Sequence, residues 1–94
     1  MWTNLSTTIN NSFSGNVEYV PVVFQNSDLA EGVLSIPHGR DTLFVIPEAI
    51  YNPSGVLQDQ SGIFTIVDSK NVKYEFGGNL ETGKYLFIFK FLYL

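Results

Sequence analysis

The chain of 94 residues contains no cysteine, which excludes disulfide bonds and thiolate metal sites. Basic residues are also few, since five Lys and Arg stand against nine Asp and Glu, and the formal net charge is −4. The five are scattered along the chain, whereas a phosphate-binding surface needs a cluster of them. We therefore expect no nucleic-acid partner.

A long apolar run is missing as well. No stretch approaches the roughly 18 residues that a membrane-spanning helix needs. The first six residues have neither the basic nor the apolar segment of a signal peptide. These absences predict a protein made in a cytoplasm and not inserted into a membrane, with one domain large enough to fold without a metal.

Groups that could perform catalysis are sparse. The single histidine, His38, lies between Pro37 and Gly39 and has no second histidine at metal-binding spacing. We interpret it as a turn residue that hydrogen-bonds to the backbone, and Asp41 is near enough in sequence to orient its ring. The carboxylates are spread along the chain, so no acid–base pair is indicated. The sequence therefore predicts no enzyme, no metal and no cofactor.

Aromatic residues are abundant, with eight Phe, five Tyr and one Trp. Gly, Asn and Ser recur between short apolar runs, at a spacing of about 8–12 residues that is typical of sandwiches and small barrels. We expect an all-β fold, an antiparallel β-sandwich of jelly-roll or Ig-like type with about six or seven strands. The predicted strands are 17–24, 33–36, 43–46 continuing at 49–51, 63–67, 72–76 and 84–94.

Two prolines and the alternation of side chains refine this prediction. Pro21 and Pro47 cannot donate to a β-ladder, so each should lie at an edge or a bulge. One helical turn is expected at 28–31. The predicted core consists of Leu34, Ile36, Val45, Ile66, Val72, Tyr74 and Phe76.

The N-terminal residues 1–16 are polar and form a predicted arm, while residues 17–94 form the single β-sandwich domain. Two interpretations of the arm stay open. It is either disordered or an extended segment that orders on a neighbour, where its apolar residues at spacings of three or four would be used.

The last predicted strand, 84–94, is apolar on both faces. One face carries alternating Tyr and Phe, and the other carries Leu and Ile with only Lys90 between them. An exposed strand of this kind would aggregate, so the second face must be covered either by the chain's own layers or by other subunits. We favour other subunits and predict an oligomer interface comprising Phe87, Ile88, Phe89, Leu92, Tyr93 and Leu94.

Aromatic side chains also stack on sugar rings. Trp2 in the arm and Tyr51 beside Asn52 are the candidates for glycan contact, because core packing accounts better for most other aromatics. A free-standing carbohydrate-binding module is the alternative function that these two residues support.

Several motifs occur in an ordered series. They are Asp28-Leu29-x-x-Gly32-Val33-Leu34-Ser35-Ile36-x-His38-Gly39, then Ile50-Tyr51-Asn52-x-x-Gly55, then Phe64-x-Ile66-Val67-Asp68-x-x-Asn71-Val72-x-Tyr74-x-Phe76, and Thr82-Gly83-Lys84-Tyr85. Together they resemble a small β-sandwich domain of bacteriophage structural proteins, of the kind found at the C-terminal ends of tail fibres and in head-fibre or decoration proteins. The resemblance covers roughly residues 24–90.

The resemblance implies a non-enzymatic virion protein. Such domains commonly form threefold assemblies, so the expected partners are further copies of the chain in a trimer and other virion proteins. Adhesion to a host-surface glycan is a further expected role, and the expected location is the virion, after synthesis in the cytoplasm of a bacterial host.

Overall fold

The structure, a computed structural model, describes residues 16–94. This part of the chain forms six strands and one turn of 3-10 helix. The strands are β1 (Asn16–Phe24), β2 (Val33–Pro37), β3 (Val45–Tyr51), β4 (Ile63–Asp68), β5 (Asn71–Glu75) and β6 (Tyr85–Tyr93), and the 3-10 turn is Asn26–Asp28.

The strands form two three-stranded antiparallel sheets packed on one another. Sheet A has the order β1-β6-β3, and sheet B has the order β2-β5-β4. The two longest strands, β1 and β6, are the first and last of the described chain. They pair along their whole length, with Asn16 opposite Tyr93 and Phe24 opposite Tyr85. The prediction of an all-β antiparallel sandwich is thus confirmed.

The core lies between the sheets and is dominated by the inner face of β6. Phe87, Phe89 and Phe91 are each no more than 1% exposed, and Val72 and Tyr74 of β5 face them from sheet B. Neighbouring rings stack along the strand, since the centroids of Phe87 and Phe89 are 4.2 Å apart. Aromatic pairs of this kind add to the stabilisation from buried area.

Most of the predicted core is buried, but one member is wrong. Ile66 is 38% exposed although it pairs with the fully buried Val72. Its strand β4 is one of the two outer strands of sheet B, so no described strand covers its open side. Phe76 is only partly buried and packs against the core cluster.

Several boundaries differ from the sequence prediction, most of them by one residue. The helical turn lies at Asn26–Asp28 rather than at 28–31, because Ala30 forms a β-bridge with Val33. The third strand begins at Val45 rather than at residue 43. Asn16, assigned to the arm, already pairs with Tyr93 in β1, while residues 1–15 lie outside the described part of the chain.

The two prolines take the predicted positions. Pro21 lies in β1, an outer strand of sheet A. Pro47 lies in β3, the opposite outer strand, at a register shift between Pro47 and Ala49. Such positions are favoured because proline has no N–H for a ladder.

Candidate functional site

The outer face of sheet A is the most distinctive surface of the described residues. Antiparallel pairing sets its side chains in rows across the three strands, for example Val23–Leu86–Tyr51 and Tyr19–Lys90–Ile46. All members except Lys90 are uncharged and largely apolar. They are Val17, Tyr19, Pro21, Val23, Ile46, Ala49, Tyr51, Leu86, Ile88, Lys90 and Leu92.

This face is open to solvent as far as the described residues go. Val23 is 62% exposed, Tyr19 58%, Val17 44% and Ile46 41%. Leu86, Ile88 and Leu92 of the central strand are half-buried by their neighbours. A contiguous apolar patch is a candidate interaction surface.

Lys90 interrupts the patch without placing an isolated charge at its centre. Its ammonium group lies over the ring of Tyr19, 5.9 Å from the centroid. A cation over an aromatic face is attracted by the ring quadrupole, and its methylene stem covers apolar surface. The outer surface of the row Tyr19–Lys90–Ile46 is therefore still mainly apolar.

Sheet B provides an internal comparison. The outward residues at the middle of that sheet are Ser35, Thr65 and Lys73, which lie in one row across β2, β5 and β4. Glu75 and Asn71 continue the same polar face along β5. The centre of sheet B thus shows the ordinary alternation of apolar inside and polar outside, with the exposed Ile63 and Val67 confined to its outer strand β4, whereas the centre of sheet A does not.

The residues predicted for the oligomer interface divide between the two sides of sheet A. Phe87 and Phe89 are 0% and 1% exposed, because they fill the chain's own core, and they have no surface left for a second subunit. Ile88 and Leu92 lie on the outer face. Leu94 follows β6 and is 85% exposed.

Sequence reasoning missed the contribution of β1 to this face. Val17, Tyr19 and Val23 point outward, while Val20, Val22 and Phe24 pack inward. The strand is therefore apolar on both sides, as β6 is. The same pattern that drew attention to β6 would have found these residues.

The glycan candidates are placed differently from the prediction. Tyr51 is not a loop residue but the last residue of β3, half-buried, opposite Leu86 and bridged to Leu57. Trp2 lies outside the described residues. The structure thus places Tyr51 within the apolar face rather than on a separate platform.

A polar cluster closes the sandwich at the end where β1 begins. Arg40 pairs with Glu18, with its Nε 3.3 Å from Oε1, and donates from Nη1 to the carbonyl oxygen of His38. The Tyr93 hydroxyl donates to the same Glu18 carboxylate at 2.6 Å. The cluster therefore ties the loop between β2 and β3 to both β1 and β6.

Charge pairing shifts the pKa values in this cluster. Hydrogen bonds from Tyr93 and Arg40 hold the pKa of Glu18 below its ordinary value of 4.5. Burial raises the pKa of the Tyr93 hydroxyl, and its bond to Glu18 acts in the same direction. Both shifts favour the ordinary charge of each group at neutral pH, so the carboxylate of Glu18 keeps its hydrogen bonds to Tyr93 and Arg40.

His38 is buried beneath this cluster. Its ring lies 4.8 Å from that of Phe91, and its Nδ1 accepts a hydrogen bond from the backbone N–H of Arg40 at 2.9 Å. The prediction of a turn histidine bonded to backbone is confirmed. Asp41 does not orient the ring, because its carboxylate accepts from the Ser69 hydroxyl instead.

Burial and the neighbouring Arg40 charge lower the pKa of His38 below 6.5, and Asp68 opposes them. Since Nδ1 accepts a hydrogen bond, the proton of the neutral ring is on Nε2. That atom is buried, and no described residue accepts from it. Histidine in this environment is a packing residue that stays neutral at physiological pH.

Three hollows in the described part of the chain lie at the loop ends, and the two larger ones, of about 360 and 300 Å³, are open and shallow. The third, of about 130 Å³, lies between the β3–β4 and β5–β6 loops, with Asp59, Ser61 and Asn79 at its rim and Phe76 and Tyr85 at its base. Pockets that enclose a small molecule usually measure about 300–1,000 Å³. The hollow is thus large enough for a few water molecules or one polar group of a ligand.

Within residues 16–94, no three His, Asp or Glu side chains come together in a way that could hold a metal ion. In the same range, no helix is long and apolar enough to cross a membrane. Comparison of the chain with known protein families, with curated proteins and with solved structures gave no match. The outer face of sheet A is therefore the candidate site with the most physical support.

Proposed function

We propose that the chain is a non-enzymatic structural protein of a bacteriophage particle that works by assembling with further copies of itself. The proposed contact is the outer face of sheet A, and the proposed assembly is a trimer of tail-fibre, head-fibre or decoration type. Other virion proteins are the proposed neighbours. The phage assignment is supported by the resemblance of residues 24–90 to domains of such particles.

The observation that carries the assembly is the contrast between the two sheets. Sheet B has a polar row at its centre, whereas ten of the eleven outward positions of sheet A listed above are uncharged, and the exposed Glu48 lies beside them at the bulge of β3. Exposed apolar side chains occur in sheet B too, at Ile63 and Val67 of its outer strand β4, but those of sheet A run across the centre of the sheet, and this difference needs an explanation. A surface that is covered in use explains it.

The energetic balance permits such a contact. Burying one large apolar side chain contributes roughly 1.5–3 kcal/mol, and association costs roughly 4–15 kcal/mol of rigid-body entropy. Several side chains must therefore become buried at once. Val17, Tyr19, Val23 and Ile46 are each still 41–62% exposed, and Leu86, Ile88 and Leu92 lie between them.

Ile88→Asp or Leu92→Asp should dissociate the assembly, because either change places a charged carboxylate in the centre of an apolar contact, where it would lose its water. Light scattering on the purified chain gives the mass of each form. Lys73→Asp is the matched control, since Lys73 lies at the centre of the opposite sheet. Circular dichroism shows that each variant still folds.

A wild-type monomer at micromolar concentration would refute the assembly, and so would an unchanged mass of Ile88→Asp. The phage assignment has its own test, namely mass spectrometry of particles from cells that encode the chain. Absence of the chain from those particles would refute that part alone. Selective binding on a glycan array that is lost in Tyr51→Ala or Trp2→Ala would favour a carbohydrate-binding module instead.

A further inference from the structure

Strand β4 has an open backbone edge among the described residues. It pairs with β5 on one side and has no described strand on the other, because it is one of the two outer strands of sheet B. An outer strand presents a row of N–H and C=O groups on which another strand can pair. Proteins usually guard such edges with proline, charge or a bulge.

The outer strands of the described sandwich are guarded to different degrees. Pro21 interrupts β1, Pro47 and a register shift interrupt β3, and Pro37 ends β2. β4 contains no proline, glycine or basic residue, and its one charge is Asp68 at the end. A register shift before Asp68 bends only that end, so residues 63–66 remain regular.

The side chains of β4 are unusually exposed for their type. Ile63 is 62% exposed, Val67 56% and Ile66 38%. Ile66 points toward the core but remains open on the side away from β5. A strand added beside β4 would cover these three side chains and satisfy the free backbone groups together.

We propose that β4 pairs antiparallel with β4 of a second copy, about a two-fold axis at Thr65. The contact goes beyond the proposed function because it joins the edges of two B sheets rather than the faces of A sheets. It extends each three-stranded sheet B into a continuous sheet of six strands.

The register follows from the sequence of β4. Residues that face each other across antiparallel strands must point to the same side of the sheet, so only alternate registers are allowed. Pairing about Thr65 sets Phe64 opposite Ile66 of the second copy on the core side, and Ile63 opposite Val67 on the outer side. Asp68 then faces Gly62, so the two carboxylates do not meet.

The neighbouring registers are poorer. Pairing about Phe64 would set Gly62 opposite Ile66 and leave that side chain without a partner. Pairing about Ile66 would set Ile63 opposite Ser69, beyond the end of β4, so that Ile63 would have no apolar partner. The segment is thus complementary to itself in one register, which supports a second copy rather than an unrelated strand.

A charge exchange at the axis tests the proposal. Each variant is made in the full chain with Ile88→Asp, which removes the contact through sheet A. In this background the chain should form a dimer at high concentration, measured by sedimentation equilibrium. Thr65→Lys and Thr65→Glu should each weaken it by about tenfold or more, because two like charges then face each other across the axis.

An equimolar mixture of Thr65→Lys and Thr65→Glu should restore the dimer, since opposite charges then meet. A loss caused by damage to the fold would not be restored by mixing. The control is Ser35, which also neighbours Lys73 on the outer face of sheet B but lies on β2. Ser35→Lys should leave the dimer unchanged.

A chain with Ile88→Asp that stays monomeric at submillimolar concentration would overturn the pairing of β4 while leaving the proposed function intact. So would a mixture of the two charged variants that associates no better than either alone. A dimer that is lost in Ser35→Lys but kept in Thr65→Lys would place the contact on β2 and equally overturn the proposal.

Discussion

Gly62 is packed against the ring of Tyr74 so tightly that a Cβ atom has no room. An added Cβ would overlap the Tyr74 ring and the backbone oxygen of Glu75. The Gly62 N–H also donates to the Tyr74 hydroxyl at 2.9 Å. This contact fixes the loop before β4 to the core and satisfies the one polar atom of a buried tyrosine.

Gly62→Ala should therefore destabilise the fold by about 1–3 kcal/mol, the usual cost of overpacking. Urea unfolding followed by circular dichroism measures the change. Gly77→Ala is the control, because nothing lies within 4 Å of its added Cβ. Equal stabilities of the two variants would show that the loop yields freely and that the close contact with Tyr74 is unimportant.

At the scale of elements, the loop before β3 is anchored to β6 by Thr42. This side chain is 8% exposed, donates to the carbonyl oxygen of Leu92 at 2.8 Å and accepts from the Phe44 N–H at 3.1 Å. The backbone N–H of Leu92 donates in turn to the Phe44 oxygen. The anchor continues the pairing of β3 with β6 beyond the end of β3.

Thr42→Val keeps the shape of the side chain but removes both hydrogen bonds. We expect a loss of about 1 kcal/mol in the free energy of unfolding, because two partly buried hydrogen bonds to the backbone are lost. Faster amide exchange at Phe44 should accompany it. Thr82→Val, at an exposed loop position, should change stability by less than about 0.5 kcal/mol. A Thr42→Val variant with the stability of the wild type would show that the two hydrogen bonds of Thr42 do not anchor the loop.

For the whole molecule, the shifted pKa values of His38, Glu18 and Asp68 predict how the free energy of unfolding depends on pH. The folded chain holds the pKa of His38 below 6.5, so the unfolded chain takes up its proton more readily. The contribution of His38 to the free energy of unfolding is fully present above pH 6.5. It is lost as the pH falls toward the pKa of His38 in the folded chain. Glu18 and Asp68 have lowered pKa values, so their contributions to the free energy of unfolding are lost only as the pH falls below their ordinary pKa values of 4.5 and 3.8.

The decline in unfolding free energy between pH 6.5 and 4.5 should therefore disappear in His38→Asn. Asparagine keeps an acceptor for the Arg40 N–H but does not titrate, although it loses contact with Phe91 and lowers stability at every pH. Urea unfolding across this range at one fixed chain concentration makes the comparison, since assembly would also affect stability. An unchanged slope in the variant would show that other groups cause the decline.

Much of this architecture is determined by local sequence pattern. Period-two alternation and the turn residues placed the strands to within two residues, and the prolines at 21 and 47 indicated the outer strands, because the missing N–H acts locally. The two-sided apolar pattern of β6 also predicted a cover for its second face. These inferences depend only on neighbours along the chain.

What lies opposite each strand was decided by the tertiary structure. The pattern of β6 is nearly symmetric, so it could not tell that Phe87 and Phe89 face the core while Ile88 and Leu92 form the outer face with β1 and β3. Ile66 reads as core, but its strand is at an edge and its side chain is open on one side. Burial and exposed surface arise from contacts between distant segments, and alternation along one strand contains no information about them.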